Sequence, residues 1–453
     1  MTVQEIKKAT KAITLYGDLS REITGVSINS RTIKKGNIFV AVKGARFDGH
    51  DFIRAAIRNG AVAIVVSKRV VCSGDITVIR VKDTTRALGQ IAAWHRRQFH
   101  IPIIAVTGST GKTTTKDMIA SILAARFKVL KNTGTENNQY GVPLTLLKLK
   151  PSHTIAVLEL GTNQPGDICW LAQIVRPTIA VFTNIGESHL AKLKSQAGVF
   201  REKVQMINYM DSRGLIIFNS DDRYLKGIAK KHSKQRLIRY GCGKGADYQG
   251  SHIMTKSNHC LQFRVKGHIC SVNSSAAHNI YNALAAISCG LACKIRYNDI
   301  IAVLNRFKFL GARQETKKIG QLWLIDDTYN ANPISLKSAI STLNTLQIKG
   351  KRIAVCADML ELGLHSKALH ASAGRMIARS ATDIVLTCGR HARYIAQSLN
   401  RSSSPKRAVH CANLKEVQQQ LTKFCRPGDA ILVKGSRGMH MERVVAFLEN
   451  RFK

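Results

Sequence analysis

No stretch of this sequence approaches the ~20 uninterrupted apolar residues of a membrane-spanning helix, and the opening run MTVQEIKKATKAI lacks the apolar segment of a secretory signal. Both absences predict a cytoplasmic protein without a membrane span. Cysteine is present but unpatterned: the 11 residues make no CxxC pairs and no His/Cys metal spacing, so free thiols are the simplest expectation. Cys289 and Cys293, one helical turn apart, read as small buried residues on a helix face. Acidic residues are scarce, 28 Asp and Glu against 69 Lys and Arg, for a net charge of +41. Such a surplus attracts any polyanion and favours encounter with phosphorylated substrates. The basic residues are nevertheless spread along the chain, and no RNA-binding aromatic signature lies among them, so no specific nucleic-acid partner is expected.

One missing glycine is informative. The segment Ile101 to Lys116, IPIIAVTGSTGKTTTK, reads as strand, glycine loop and helix, but Val106 stands where the full P-loop pattern has its first glycine. The shortened loop still suits phosphate. Its glycines let backbone N–H groups close round an anion, the helix N-terminus adds partial positive charge, and Lys112 adds a full one. Thr113 can offer its hydroxyl to Mg²⁺. Read alone, the string is also compatible with a strand-to-helix turn that binds nothing.

At 453 residues the chain is too long for one ordinary core, and two or three domains are expected. From residue 1 to about 100 short strands (37–42, 61–66, 76–81) and helices (51–59, 84–97) alternate as a small α/β domain. Its polar cluster, Ser30-Arg31 with the loop Gly44 to His50, fits either a phosphate or a surface turn. Pro102 marks entry to a second domain, where apolar runs at 154–160, 179–184 and 214–219 end in polar residues, the pattern of a parallel, doubly wound sheet. Ligands of such sheets lie beyond the carboxyl ends of the strands, which puts Glu159 near the glycine loop. Residues 236–272 hold short strand-like runs, YGCGKGA among them is a loop, and 278–293 is a helix with Asn279 and Asn282 on one face. A third α/β domain begins near Gly311, with strands at 322–327, 352–356, 383–386 and 430–434.

Nine motifs in this order resemble those of the Mur ligases of peptidoglycan synthesis, over essentially the whole chain. They are TGSTGKTTTK (107–116), NNQYGVPLTLL (137–147), ELGTNQPGDI (159–168), TNIGESHL (183–190), HNIYNALAA (278–286), GARQE (311–315), DDTYNANP (326–333), DMLELG (358–363) and KGSRGMHME (434–442). The resemblance implies an α/β enzyme of three domains. A small N-terminal α/β domain (1–100) binds the UDP substrate. A central P-loop ATPase domain (101–310) has a doubly wound, mostly parallel sheet, and a C-terminal Rossmann-like α/β domain (311–453) closes over the active site. It implies an ATP-dependent ligase, expected as a monomer, that joins D-Ala-D-Ala to UDP-MurNAc-tripeptide through an acyl phosphate.

By the same resemblance, Gly108, Ser109, Thr110, Gly111, Lys112, Thr113 and Thr114 bind ATP, together with Asn279, Asn282, Arg313 and Asp327. Thr113 and Glu159 match ligands of a first Mg²⁺, and His189 supports a second. Lys203, in GVFREKVQM, matches a lysine that related ligases carry as a carbamate, although by itself it reads as a solvated helix lysine. Substrate binding falls to Ser30, Arg31, Asn137, Asn138, Asn330, Asn332, Lys434, Ser436 and Arg437. Asn29, Ala357 and Glu136 depart from the family's usual Asp, Gly and Leu. Two alternatives remain. A ligase adding the third amino acid would carry Asp-Asn-Pro-Arg/Lys where this chain has Tyr329 to Pro333. A nucleic-acid-dependent P-loop ATPase would explain the charge but not the segment of His189 and Lys203.

Overall fold

The computed structural model describes residues 1–453 except 45–46, 73, 135, 233, 257–259, 310, 403–405 and 453. Ala45 and Arg46 of the Gly44–His50 loop therefore lie outside the described residues, as does Leu310 at the expected boundary of the third domain. Three α/β units follow one another. The first is a five-stranded sheet in the order Ile13–Tyr16, Thr77–Arg80, Ala61–Val66, Asn37–Val40, Gly25–Ser27. Its first strand pairs antiparallel and the rest run parallel. The two outer strands escaped the sequence reading because three or four half-buried residues leave no apolar run.

The middle unit is a seven-stranded sheet, parallel throughout, in the order Tyr248–Gln249, Arg236–Gly241, Leu215–Asn219, Ile179–Phe182, Ile103–Thr107, Ile155–Glu159, Val129–Lys131. Successive residues of one strand point to opposite faces and feed two cores. Ile104 and Val106 pack on the side of helices Lys112–Leu123 and His278–Ala292, while Ile103 and Ala105 pack on the side of helix Asp167–Val175. Burial on both faces is why these strands read as continuous apolar runs. Within 236–272, Ser251–Thr255, Leu261–Val265 and His268–Val272 form a separate antiparallel sheet, whose Phe263 and Val265 join the core of Ile104 and Val106.

The third unit has six strands ordered Glu315–Ile319, Leu322–Asp327, Ala430–Lys434, Arg352–Ala357, Ile384–Cys388, Arg407–Cys411. All are parallel except the first, a charged edge strand (ETKKI) that the hydrophobic pattern could not reveal. The middle and third units share apolar packing. Ile185, Leu190 and Leu193 of one lie in the same cluster as Ala331, Leu336 and Leu362 of the other. Gly186 approaches so closely that a Cβ there would sit 2.0 Å from Ile334 Cδ1. The eleven cysteines are free thiols. Among the described residues no helix is long and apolar enough to cross a membrane.

Candidate active site

The carboxyl end of strand Ile103–Thr107 opens on a cavity of about 550 Å³ between the middle and third units. The loop at its floor is built tightly. A Cβ on Gly108 would lie 1.8 Å from Thr183 Oγ1, and Gly111 takes φ 77°, a left-handed turn that glycine adopts without strain before helix Lys112–Leu123. Asn184 clamps the loop by accepting from Thr110 N at 3.0 Å and donating to Thr110 Oγ1 at 2.8 Å. Ser109 Oγ accepts from Gly186 N at 2.9 Å. Lys112 Nζ folds back to donate to Gly108 O at 2.9 Å. Burial pulls its pKa below the usual lysine value, against the opposing charge of Glu159 and with the aid of Arg313.

Glu159, at the end of its strand as the parallel sheet predicted, is buried beside the loop. Its Oε2 accepts from Thr113 Oγ1 at 2.6 Å and its Oε1 from Asn137 Nδ2 at 2.8 Å. Asn132 holds the Glu159 backbone from behind, accepting from its N–H at 2.9 Å and donating to its carbonyl at 3.1 Å. Asn138 spends its Oδ1 on the backbone N–H groups of Tyr140 and Gly141, both at 3.0 Å, at the start of helix Gly141–Leu146. Asn279 and Asn282 do not line the cavity. They are buried behind the loop, where Asn282 Oδ1 accepts from Thr115 Oγ1 at 3.1 Å and a Cβ on Gly111 would meet the same oxygen at 2.4 Å.

The third unit supplies the opposite wall. Arg313 stacks over Tyr329, its Cζ 3.7 Å from the ring centroid. Asp327 and Lys434 face each other across neighbouring strands. Lys434 Nζ donates to Asp327 Oδ2 at 2.6 Å and to Asn330 O at 2.8 Å, and the lysine is 1% exposed. Burial raises the Asp327 carboxyl against the lowering effect of Lys434. Asn332 caps helix Pro333–Thr345 through Ser335 N, at 2.9 Å, and Ser436 Oγ accepts from Leu360 N at 2.8 Å. Arg437 and Asn330 are exposed at the rim.

His278, whose place in its motif had drawn no assignment, joins the two walls. Its Nδ1 lies 2.7 Å from Ser338 Oγ, and burial together with the charge of Lys434 pulls its pKa down from 6.5 to about 4. The folded protein thus binds this proton less readily than the unfolded chain. Stability should be intact above pH 6.5 and fall as pH drops toward 4, by up to about 3 kcal/mol. Denaturation midpoints of wild type and His278→Gln measured across that range should converge at the acid end.

His189 takes φ 55° and puts Nδ1 2.6 Å from Oε2 of Glu361, a third-unit residue that sequence reasoning left unassigned. Lys203 is not the solvated lysine its sequence context suggests. It is 0% exposed, and its Nζ has no hydrogen-bond partner among the described residues. Burial first, then the charge of Lys112, drives its pKa well below the usual value, with Glu202 and Glu159 opposing. Its neighbour Glu202, also buried, accepts from Gly166 N at 2.9 Å and Ile168 N at 2.8 Å and so holds the start of helix Asp167–Val175. Ser30 and Arg31 lie elsewhere, in the first unit. Ser30 is buried with its carbonyl accepting from Asn59 Nδ2 at 2.7 Å, and Arg31 is exposed. That unit touches the cavity wall through helix Thr84–Arg97, where the Arg86 guanidinium lies 5.0 Å from the Trp170 ring centroid.

A glycine loop suited to phosphate, a buried hydroxyl–carboxylate pair beside it and a second α/β unit across the cleft are the parts of a nucleotide-dependent enzyme of three α/β units. Profiles of known families agree along the chain: the Mur ligase middle domain over 106–290, the Mur ligase glutamate ligase domain over 305–437 and the Mur ligase family catalytic domain over 22–96. The chain is 35% identical over 98% of its length to the UDP-N-acetylmuramoyl-tripeptide--D-alanyl-D-alanine ligase of Bacillus subtilis, covering 96% of that protein. Among solved structures, MurF from Acinetobacter baumannii superposes with a TM-score of 0.92 at 29% identity, over 99% of both chains. MurF ligase from Thermotoga maritima in complex with ADP superposes at 0.85, with 27% identity, over 96% of this chain and 99% of that one. The chain belongs to the Mur ligase family.

Proposed function

We propose that this enzyme joins D-Ala-D-Ala to UDP-MurNAc-tripeptide at the expense of ATP, giving the UDP-MurNAc-pentapeptide of cell-wall synthesis, and that it acts as a cytoplasmic monomer. The observation that carries this is the Thr113–Glu159 pair beside the loop in a cleft walled by Arg313, Lys434 and Arg437, together with full-length likeness to ligases of that name. An oxygen of the tripeptide's terminal carboxylate attacks the γ-phosphorus of ATP and ADP leaves, forming an acyl phosphate. The amine of the dipeptide then adds to that carbonyl, loses a proton, and phosphate departs as the amide forms. Two anions must meet in the first step, so concentrated positive charge is required. Lys112, the amides of Gly108 to Thr114 and Arg313 supply it, while Asn282, to which Asn279 is bonded, backs Gly111. Asp327, held by Lys434, is assigned to the nucleoside side. Residues 1–100, with Ser30 and Arg31, take the UDP, 101–310 take ATP, and 311–453 close the site against water. Asn137, Asn138, Asn330, Asn332, Lys434, Ser436 and Arg437 line the way of the two peptide substrates.

The residues present fit Mg²⁺. The buried Glu159 carboxylate and the Thr113 hydroxyl are hard oxygen donors, and among the described residues no cluster of three or more His, Cys, Asp and Glu forms an all-protein cage. That matches an ion shared with substrate phosphates. His189 and Lys203 would support a second ion, and the orphaned amine of Lys203 suits a carbamate, which turns a buried cation into an anionic oxygen donor. Bound Mg²⁺ would neutralise the charge that gathers on the transferred phosphoryl group. Phosphate release measured with ATP, UDP-MurNAc-tripeptide and D-Ala-D-Ala is expected to depend on the dipeptide. Turnover indifferent to it would refute the reading, and turnover driven only by DNA or RNA would support a nucleic-acid-dependent ATPase.

A further inference from the structure

Lysine is rarely enclosed unless its ammonium is paired. Lys116, 1% exposed, is among the largest fully buried side chains, yet it does not line the cavity. It lies one turn beyond Thr113 on helix Lys112–Leu123 and shares that residue's face. Its Nζ donates to Asn132 O at 2.7 Å and sits 3.4 Å from Asp117 Oδ1, to which Lys131 Nζ donates at 2.7 Å. Asn132, also buried, follows strand Val129–Lys131, the parallel neighbour of Ile155–Glu159, so its side chain reaches the end of that strand. There it accepts from Glu159 N at 2.9 Å, and its Nδ2 donates to Glu159 O at 3.1 Å and to Glu136 O at 2.7 Å. Three segments thus meet at one buried residue: the helix that carries Thr113, the strand end that carries Glu159, and the loop whose Asn137 donates to Glu159 Oε1 at 2.8 Å.

We propose that Lys116 is a positioning residue for Glu159. Through Asn132 its ammonium ties the helix of the glycine loop to the strand end, and so fixes the distance between the Thr113 hydroxyl and the Glu159 carboxylate. Pairing with Asp117 does not account for this arrangement, because Lys131 already serves that carboxylate and the shorter contact of Lys116 is to Asn132 O. The inference rests on the ligase reading, in which the Thr113–Glu159 pair holds Mg²⁺, and adds the group that sets the pair in register.

The test uses the full-length chain. Lys116→Met fills similar space without the donor. Mn²⁺ binding, read by electron paramagnetic resonance with a non-hydrolysable ATP analogue, should weaken about 10- to 100-fold, while the same analogue should bind as to wild type in EDTA. In a Glu159→Gln background Lys116→Met should cost Mn²⁺ binding far less than it does alone. With neither metal nor nucleotide, the Glu159 amide of Lys116→Met should exchange at least about 10-fold faster, and the amide of Leu160, which donates to Val106 O, at its wild-type rate. Asn132→Leu removes the shared link, should reproduce these results, and carries the test if Lys116→Met fails to fold. Wild-type Mn²⁺ binding in the variants, equal loss of metal-dependent and metal-free nucleotide binding, losses that add in the double variant, or an unchanged Glu159 amide would each overturn the proposal. None of these measurements involves the peptide substrates, so failure of dipeptide-dependent turnover would sink the ligase reading and leave this test standing.

Discussion

Lys203→Ala is expected to lose at least about 100-fold in dipeptide-dependent turnover, the scale on which electrostatic partners of a developing charge act. Bicarbonate or a small carboxylate added to the variant should restore part of it. The physical basis is the burial of an amine with no partner. A lysine ammonium enclosed without a hydrogen bond costs several kcal/mol, which a protein avoids by keeping the group neutral or by changing it. Lys203 is fully buried, its Nζ has no hydrogen-bond partner among the described residues, and burial pulls its pKa well down, toward the neutral amine that CO₂ requires. Carbamate formation joins Nζ to the carbon of CO₂ and releases one proton, and the product carries oxygens for a cation. A companion variant separates chemistry from packing. Lys203→Met fills similar space without the amine, so it should equal or exceed the wild type in denaturation midpoint while remaining as inactive as Lys203→Ala. Full activity in either variant would refute the carbamate role.

Lys434→Met should be the most destabilising single change in the third unit, by about 3–5 kcal/mol. Lys434 is the partner that offsets burial of the Asp327 carboxylate, and it also ties Asn330 O to the sheet. Its removal strands a buried negative charge between two parallel strands. With Lys434 gone, the folded pKa of Asp327 rises further above its unfolded value. The deficit is then largest at neutral pH and shrinks on acidification through that raised pKa, because a protonated Asp327 needs no partner. Urea denaturation of Lys434→Met, Asp327→Asn and the double variant should show the double recovering most of the loss. A deficit below about 1 kcal/mol in Lys434→Met would mean that the pair behaves as a solvent-screened one.

These two lysines also mark the limit of what could be read in advance. The central strands were legible because strands buried on both faces are runs such as IIAVT and IAVLE, which no other environment favours. Edge strands such as Glu315–Ile319 and Ile13–Tyr16 were not, since pairing on one side leaves their composition open. Thr113 and Glu159 could be brought together from sequence, because a parallel sheet delivers loop and strand ends to one edge. Asn184 obeys the same rule at the end of its own strand and could have been found by it. Nothing in GVFREKVQM says that Lys203 is enclosed while Arg201 is exposed. The two differ only by which way a helix turn points against its neighbours. His278 and Glu361 are likewise ordinary polar residues until the third unit is set against the second.

By itself, the sequence determined the order of three α/β units, the shortened loop with its glycines, and the gathering of polar and carboxylate side chains such as Glu159 at the strand ends. These follow from local rules: apolar periodicity, backbone freedom at glycine, and the polarity of a parallel sheet. Only the tertiary structure decided that Lys203 is a buried amine without a hydrogen-bond partner among the described residues, that Asn282, bonded to Asn279, lies behind Gly111, and that Glu361 meets His189. Desolvation and contact between distant segments depend on what the rest of the chain packs around a residue, and no window of sequence contains that.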